Sequence, residues 1–409
     1  MPFSRLVGLS LLAAVSGLHA QTAKPRARDL GIPIGGTAGP LDAITDVTGV
    51  EVGQTTLISG EGRLTVGKGP VRTGVTVIHP RGKASNDPVF SAWFTLNGNG
   101  EMTGTTWVQE SGFLEGPIGI TNTHSVGEAR DAILRWQVGK PGLQPWGLPV
   151  VAETYDGGLN DINGFHVRPE HVISALDAAR GGVVPQEGNV GGGTGMVCHG
   201  FKGGIGTASR RAEIRGTTYT VGVLVQCNYG ARRDLRVAGV PVGEEIPDLT
   251  SCIATRDTTV GRGRQRCADL GATGGGSAAL PDEDQGSIIV VVATDAPLLP
   301  HQLKRLVTRV SLGIGRMGGV GGNSSGDIFI AFSTANPNIG MSSNVERVQI
   351  LPNPDINPLF WATVQATEES IVNAMLAAET MTGANYLRVY ALPRDRLMAA
   401  LKKYGRIRP

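Results

Sequence analysis

The sequence predicts an α/β protein in which stacked sheets lie between layers of helices. Three observations lead there. Runs such as Ile288-Ile289-Val290-Val291-Val292 and Val223-Leu224-Val225 are apolar without alternation, as in strands covered on both faces. Helical segments with recognisable ends lie between such runs. At 409 residues the chain is long enough to bury a large core.

Strand-like runs recur at 74–78, 89–94, 148–153, 220–227, 287–294, 327–333 and 387–392. Ser125 and Glu128 read as a capping box ahead of a helix carrying Ile133 and Leu134. Pro169 opens a second helix, with Val172, Ile173 and Leu176 on its apolar face and Gly181 closing it. Pro300 opens a third, with Leu303, Leu306, Val307 and Val310 at helical spacing. A fourth carries Val364, Ile371, Met375 and Leu376 and is expected to stop at Gly383. No internal repeat or heptad interrupts this pattern, so 36–409 reads as a single domain.

Residues 1–20 read as a secretory signal: Arg5 gives the positive start, 6–18 the short apolar run, and Leu18-His19-Ala20 a cleavage site. That run is short for a membrane span, with an uncleaved anchor as the alternative. Residues 21–35 then read as a flexible lead-in. Export places the protein in the periplasm or outside the cell, where cysteines can pair. Cys252 and Cys267 share a polar stretch read as a surface excursion, which a bridge would staple. Cys198 and Cys227 sit in or beside apolar runs and read as buried thiols.

Net charge is +2, and no basic block points to nucleic acid. Glycine accounts for 60 residues, about twice the usual share. Without a collagen-like period, these glycines are expected at turns and close backbone approaches.

The feature richest in chemistry is Asp284-Gln285-Gly286-Ser287, where a polar segment meets a buried strand. Glycine tolerates the distorted backbone that attack by Ser287 on the preceding carbonyl requires. Cleavage between Gly286 and Ser287 would give Ser287 a free α-amine beside its hydroxyl, with a reference pKa of about 7.7–8.0. A nucleophile and a proton acceptor would then share one residue. The plain alternative is a loop that ends in Gly-Ser before a core strand.

Other signals are weaker. Gly322-Asn323-Ser324-Ser325-Gly326 fits Gly-x-Ser-x-Gly, which would make Ser324 a nucleophile. That motif needs a strand before it and a helix after it, and here the strand follows. Gly191-Gly192-Gly193-Thr194-Gly195 lacks the Gly-Lys-Ser/Thr of a phosphate loop, since Lys202 precedes Gly203. Histidines are scattered without metal-ligand spacing; His124, His166 and His199 read as structural, and neither a metal nor a cofactor is expected. Asn228, closing a strand beside Tyr229, can donate to an oxyanion or simply begin a turn. Glu153, ahead of Thr154 and Tyr155, can anchor an ammonium or sit in a solvated loop.

Taken together these blocks resemble the self-processing aminopeptidases that include L-aminopeptidase/D-amidase/D-esterase and the β-peptidyl aminopeptidases. The resemblance spans about 28–392. It rests on 97–104 (NGNGEMTG), 153–157 (ETYDG), 188–196 (GNVGGGTGM), 226–230 (QCNYG), Gly286-Ser287, 293–298 (ATDAPL) and 323–327 (NSSGD). It implies a four-layer α/β/β/α sandwich, N-terminal-nucleophile-hydrolase-like with the family's own topology. It further implies self-cleavage into 36–286 and 287–409, with Ser287 as nucleophile and Asn228 and Gly326 as oxyanion donors. Ser325 and Asp327 then correspond to proton-relaying groups. Glu153 corresponds to the carboxylate that holds the substrate amine, Tyr155 to the pocket lining, and Trp146 to an aromatic near the entrance. Substrates are expected to be small peptides, amides or esters with a free amine, and the assembly a tetramer of processed units. No membrane is expected once the signal is removed.

Two departures stand out. β-Peptidyl members carry Glu where this chain has Asp327, and the loop bearing Cys252 and Cys267 is enlarged. Nylon-oligomer-type hydrolases resemble the same fold but use threonine as the new N-terminus, against Ser287. The non-enzyme alternative is a secreted binding protein that keeps the fold without cleavage.

Overall fold

The longest apolar runs become the central strands of one sheet. The computed structural model describes residues 24–140, 146–270, 286–341 and 344–407. A six-stranded sheet has the order β4 (Phe113–Leu114), β3 (Val89–Thr95), β13 (Gly326–Ser333), β12 (Ser287–Thr294), β10 (Thr217–Asn228), β9 (Gly204–Ile214). Its β12–β13 pair is parallel, and the other pairs are antiparallel. A four-stranded sheet has the order β1 (Glu51–Ser59), β2 (Val71–His79), β5 (Ile118–Asn122), β6 (Val150–Thr154). A two-stranded ribbon joins β7 (Val197–Cys198) to β8 (Phe201–Lys202). β11 (Cys252–Ile253), β15 (Leu387–Val389) and β14 (Met381–Thr382) make a small third sheet.

The two large sheets face each other through Ile120, Val150 and Ala152 on one side and Ile289, Val291 and Ile330 on the other. Val75, Val77 and Val151, on the back of the four-stranded sheet, pack on helices Val126–Val138 and Pro169–Ala178. Val223, Val290 and Phe329, on the back of the six-stranded sheet, pack on Pro300–Thr308, Val310–Arg316 and Asn357–Ala377. Each such buried side chain contributes about 1.5–3 kcal/mol. Helix, sheet, sheet and helix form the four expected layers. β12 is buried at all eight positions because it is central in its sheet and covered on both faces.

Glycine permits close contact between layers. A Cβ on Gly206, in β9, would lie 2.0 Å from the Ser370 carbonyl of the long helix. No methyl fits there.

Several local expectations are corrected. Residues 24–35 do not form a flexible lead-in: Ala27 is fully buried, and Arg26 pairs with Glu187 at 2.9 Å and donates to the carbonyls of Leu41, Asp42 and Thr207. A short segment carrying Pro25, Arg26, Arg28 and Pro33 reads as a linker because its partners are remote in sequence. Ser125 makes no capping bond with its side chain; instead the Asn122 side chain accepts from the Ser125 N–H. The fourth helix ends at Ala377, and β14 intervenes before Gly383. Cys198 and Cys227, expected as thiols, form a disulfide, since adjoining strands bring their Cα atoms to 5.6 Å. Cys252 and Cys267 are also bridged. Their stretch is less of a surface excursion than expected, because Val240, Val242, Ile246 and Cys252 are buried. The expected signal at 1–20 lies outside the described residues, as do Asp284 and Gln285.

Candidate active site

Strand register assembles the site. Ser287 opens β12 opposite Asn228, the last residue of β10, and opposite Gly326, the first residue of β13. Three residues far apart in sequence therefore lie side by side at one end of the large sheet. Gly286 precedes them with φ +119, and a Cβ there would lie 1.9 Å from the Asn228 carbonyl oxygen. Only glycine fits that backbone and that space.

The Gly326 N–H donates to two acceptors, the Gly286 carbonyl at 3.1 Å and the Ser287 Oγ at 3.2 Å. Ser287 is only 5 % exposed, yet it lines a cleft of about 860 Å³ with Gly100, Glu153, Tyr155, Asn228 and Ser324. Behind it, the Ser325 hydroxyl donates to Asp327 Oδ1 at 2.6 Å, and the Ile288 N–H reaches the same oxygen at 3.2 Å. Asn97 holds the aspartate: it accepts from the Asp327 N–H at 2.8 Å and donates to Oδ2 at 3.3 Å.

Asn228 accepts from the Val197 N–H at 2.8 Å through Oδ1 and donates through Nδ2 to the Tyr155 carbonyl at 3.1 Å. Glu153, near the end of β6, is buried; Oε1 accepts from the Glu101 N–H at 3.0 Å and Oε2 from the Thr123 hydroxyl. Burial pushes its carboxyl above the usual range, and the Thr123 and Glu101 donors partly offset this. Gly100 lies between Glu153 and Gly326, where a Cβ would be 3.1 Å from Glu153 Oε1 and 3.1 Å from Gly326 Cα. The 97–101 loop thus links the buried carboxylate to the Ser287 neighbourhood.

Ser287, Asn228, Glu153 and Tyr155 share the cleft, while Ser325 and Asp327 stand behind it. Trp146 is exposed and lies outside the cleft lining. Ser324 also lines the cleft, but a strand rather than a helix follows it. The 191–193 glycines pack tightly: a Cβ on Gly192 would lie 2.1 Å from Gln226 Oε1. His124 stacks on Phe165, His166 meets Asp161 at 2.9 Å, and His199 is buried against the Ala231 carbonyl. Among the described residues no three His, Cys, Asp or Glu side chains converge as a metal site.

Peptidase family S58 matches residues 42–389. The chain belongs to that family. It is 54% identical over 408 residues to the β-peptidyl aminopeptidase BapA of Sphingosinicella microcystinivorans, covering 100% of this chain and 98% of the relative. Among solved structures it resembles the L-aminopeptidase D-Ala-esterase/amidase of Ochrobactrum anthropi, described as a variant of the Ntn hydrolase fold. There the TM-score is 0.81 and the identity 46%, covering 94% of this chain and 100% of that one. A β-aminopeptidase of Burkholderia sp. gives a TM-score of 0.79 at 46% identity with the same coverage. Aminopeptidase activity is therefore the family assignment, with peptides as the fitting substrates.

The site holds residues that sequence reading gave no role. Asn97 clamps Asp327, Asn99 donates to the Ser324 carbonyl at 2.7 Å, and Thr123 holds Glu153. Asn97 and Asn99 alternate with glycines immediately after a strand, a signal that was present in the sequence. Thr123 had none, because it reaches Glu153 through the β5–β6 pairing.

Proposed function

We propose that this S58 member is an exported serine aminopeptidase that cuts its own chain between Gly286 and Ser287. Processing would leave two fragments, one ending at Gly286 and still carrying the packed 24–35 segment, the other 287–409. Ser287 Oγ then attacks the carbonyl of a peptide, amide or ester bearing a free amine. Its hydroxyl proton passes to its own α-amine, while Asn228 Nδ2 and the Gly326 N–H stabilise the oxyanion. The leaving group takes a proton from that amine or from the Ser325 hydroxyl, and water resolves the acyl-enzyme. Glu153 receives the substrate ammonium and so restricts cleavage to the terminal residue. Two bridged cysteine pairs suit an oxidising compartment, in favour of export to the periplasm or beyond. By likeness to the family, the processed units assemble as a tetramer.

One observation carries the reading. A single backbone N–H, that of Gly326, contacts both the carbonyl to be attacked and the attacking hydroxyl, in a cleft that Glu153 also lines. Mass spectrometry of purified protein is expected to find a fragment beginning at Ser287, and Ser287→Ala to stay uncut and inactive. Turnover of an N-acetylated substrate as fast as its free-amine parent would overturn the amine anchor. Hydrolysis surviving in Ser287→Ala would overturn the nucleophile.

A further inference from the structure

Behind Asn228 stands a cation that the proposed chemistry does not use. Lys202 is fully buried, and its Nζ donates to three backbone carbonyls: Met196 at 2.6 Å, Gly203 at 2.9 Å and Gly193 at 3.4 Å. A charge in such a place is costly to bury and needs a reason to be retained. Desolvation pushes its ammonium down to about 7, and Asp156 opposes that shift.

The Met196 carbonyl and the Val197 N–H belong to one peptide group. Lys202 donates to its oxygen, and its N–H donates to Asn228 Oδ1 at 2.8 Å. The β7–β8 ribbon fixes this arrangement by pairing Val197 with Lys202. The orientation of Asn228 follows. A flipped carboxamide would set Nδ2 against the Val197 N–H and Oδ1 against the Tyr155 carbonyl, two repulsions in place of two bonds. With Oδ1 on Val197 and one Nδ2 hydrogen on Tyr155, the second hydrogen remains for the cleft.

We propose that Lys202 is a positioning residue for hydrolysis: it polarises the Met196–Val197 peptide, which in turn fixes and strengthens Asn228 as an oxyanion donor. Hydrogen bonds in series strengthen one another by about 10–30% per bond, and the Lys202 amino group stands at the head of this series, as the stronger donor when protonated. The inference rests on Asn228 being the oxyanion donor.

A double-mutant cycle on the full chain tests both statements separately. Rates are taken per processed chain, counted by mass spectrometry of the fragment beginning at Ser287. Asn228→Ala alone tests the oxyanion donor, with an expected loss of about 10²–10³ in kcat. Lys202→Met is expected to lower kcat by about 10–100-fold, a part of that same loss. Its KM for a free-amine substrate should stay within about 3-fold, because Glu153 is untouched. In the Asn228→Ala background, adding Lys202→Met should lower kcat by less than about 3-fold, since groups acting as a unit are not additive. Effects that multiply, a wild-type kcat in Lys202→Met, or a loss confined to KM would each overturn the role of Lys202. A wild-type kcat in Asn228→Ala would overturn the oxyanion reading itself and the inference with it. Where Lys202→Met yields little processed chain, Lys202→Gln, neutral but still a donor, goes through the same cycle.

Discussion

Glu153 has two donors and little solvent, and this combination governs how the site should answer to pH. Burial raises its carboxyl above the ordinary range, so on acidification it takes up a proton earlier than a solvated glutamate, whose reference value is about 4.3. Only the ionised form pairs with an ammonium. Activity on free-amine substrates should therefore fall as pH drops through the raised value, and recover above it. The acid limb of kcat/KM, which reports groups of the free enzyme, is expected above that reference. Glu153→Gln should remove the Glu153 contribution to this limb, leaving that of the Ser287 α-amine, and lower kcat/KM about 10²–10³-fold, the scale of breaking a buried charge pair. A pH profile of the variant, with fragment formation followed on gels, checks both points; processing should continue. Asp327 is a second instructive residue. It meets the Ser325 hydroxyl at 2.6 Å and is held there by Asn97.

Long apolar runs with two-sided burial were legible, whereas β5, buried at all five positions but short and broken by Gly119, was missed. β12 and β13 are buried at every position, and their sequences are close to uninterrupted Ile, Val, Ala and Phe. β1 and β9 were missed for an equally physical reason. β1 mixes Glu51, Gln54, Thr55 and Thr56 with apolar residues at the outer edge of its sheet. β9 carries Arg210 and Arg211, and Arg210 is buried because Glu369 on the long helix and Asp42 meet it. A charge paired across layers cannot be told from a solvated one without knowing the layers. Site residues followed the same divide. Gly286-Ser287 and Asn228 declare themselves at strand ends, whereas Thr123 and Lys202 act through neighbours brought by the fold. Packing between β9 and the long helix should be sensitive in the opposite sense, to added bulk. Gly206→Ala would drive a methyl to 2.0 Å from the Ser370 carbonyl, and such overpacking costs about 1–3 kcal/mol. Thermal unfolding of the variant is expected to show that loss, without a change in the pH profile.

At the scale of the whole molecule, tethers add to what hydrophobic packing already holds. The 252–267 bridge closes a loop of sequence separation 15 whose neighbours Thr250 and Ser251 line the cleft. Chain-entropy arguments value such a closure at about 3 kcal/mol. Replacing both cysteines by serine should lower stability by up to that amount, measured by denaturant unfolding; an unchanged midpoint would show that the packing of Ile253 and Val260 suffices. Residues 24–35 act as another tether, since Arg26 reaches both Glu187 and the Thr207 carbonyl.

The position of β12 within its sheet has a consequence for the life of the protein. Each of its flanks carries eight paired positions, Ser287 to Thr294 against β10 and the same residues against β13. A nick at its head would leave the halves locked together, with nothing to pull them apart. Once melted, however, the pieces would have to find each other by diffusion. What assembles once from a single tether would then recover only as a concentration-dependent encounter, so maturation would exchange reversible folding for activity.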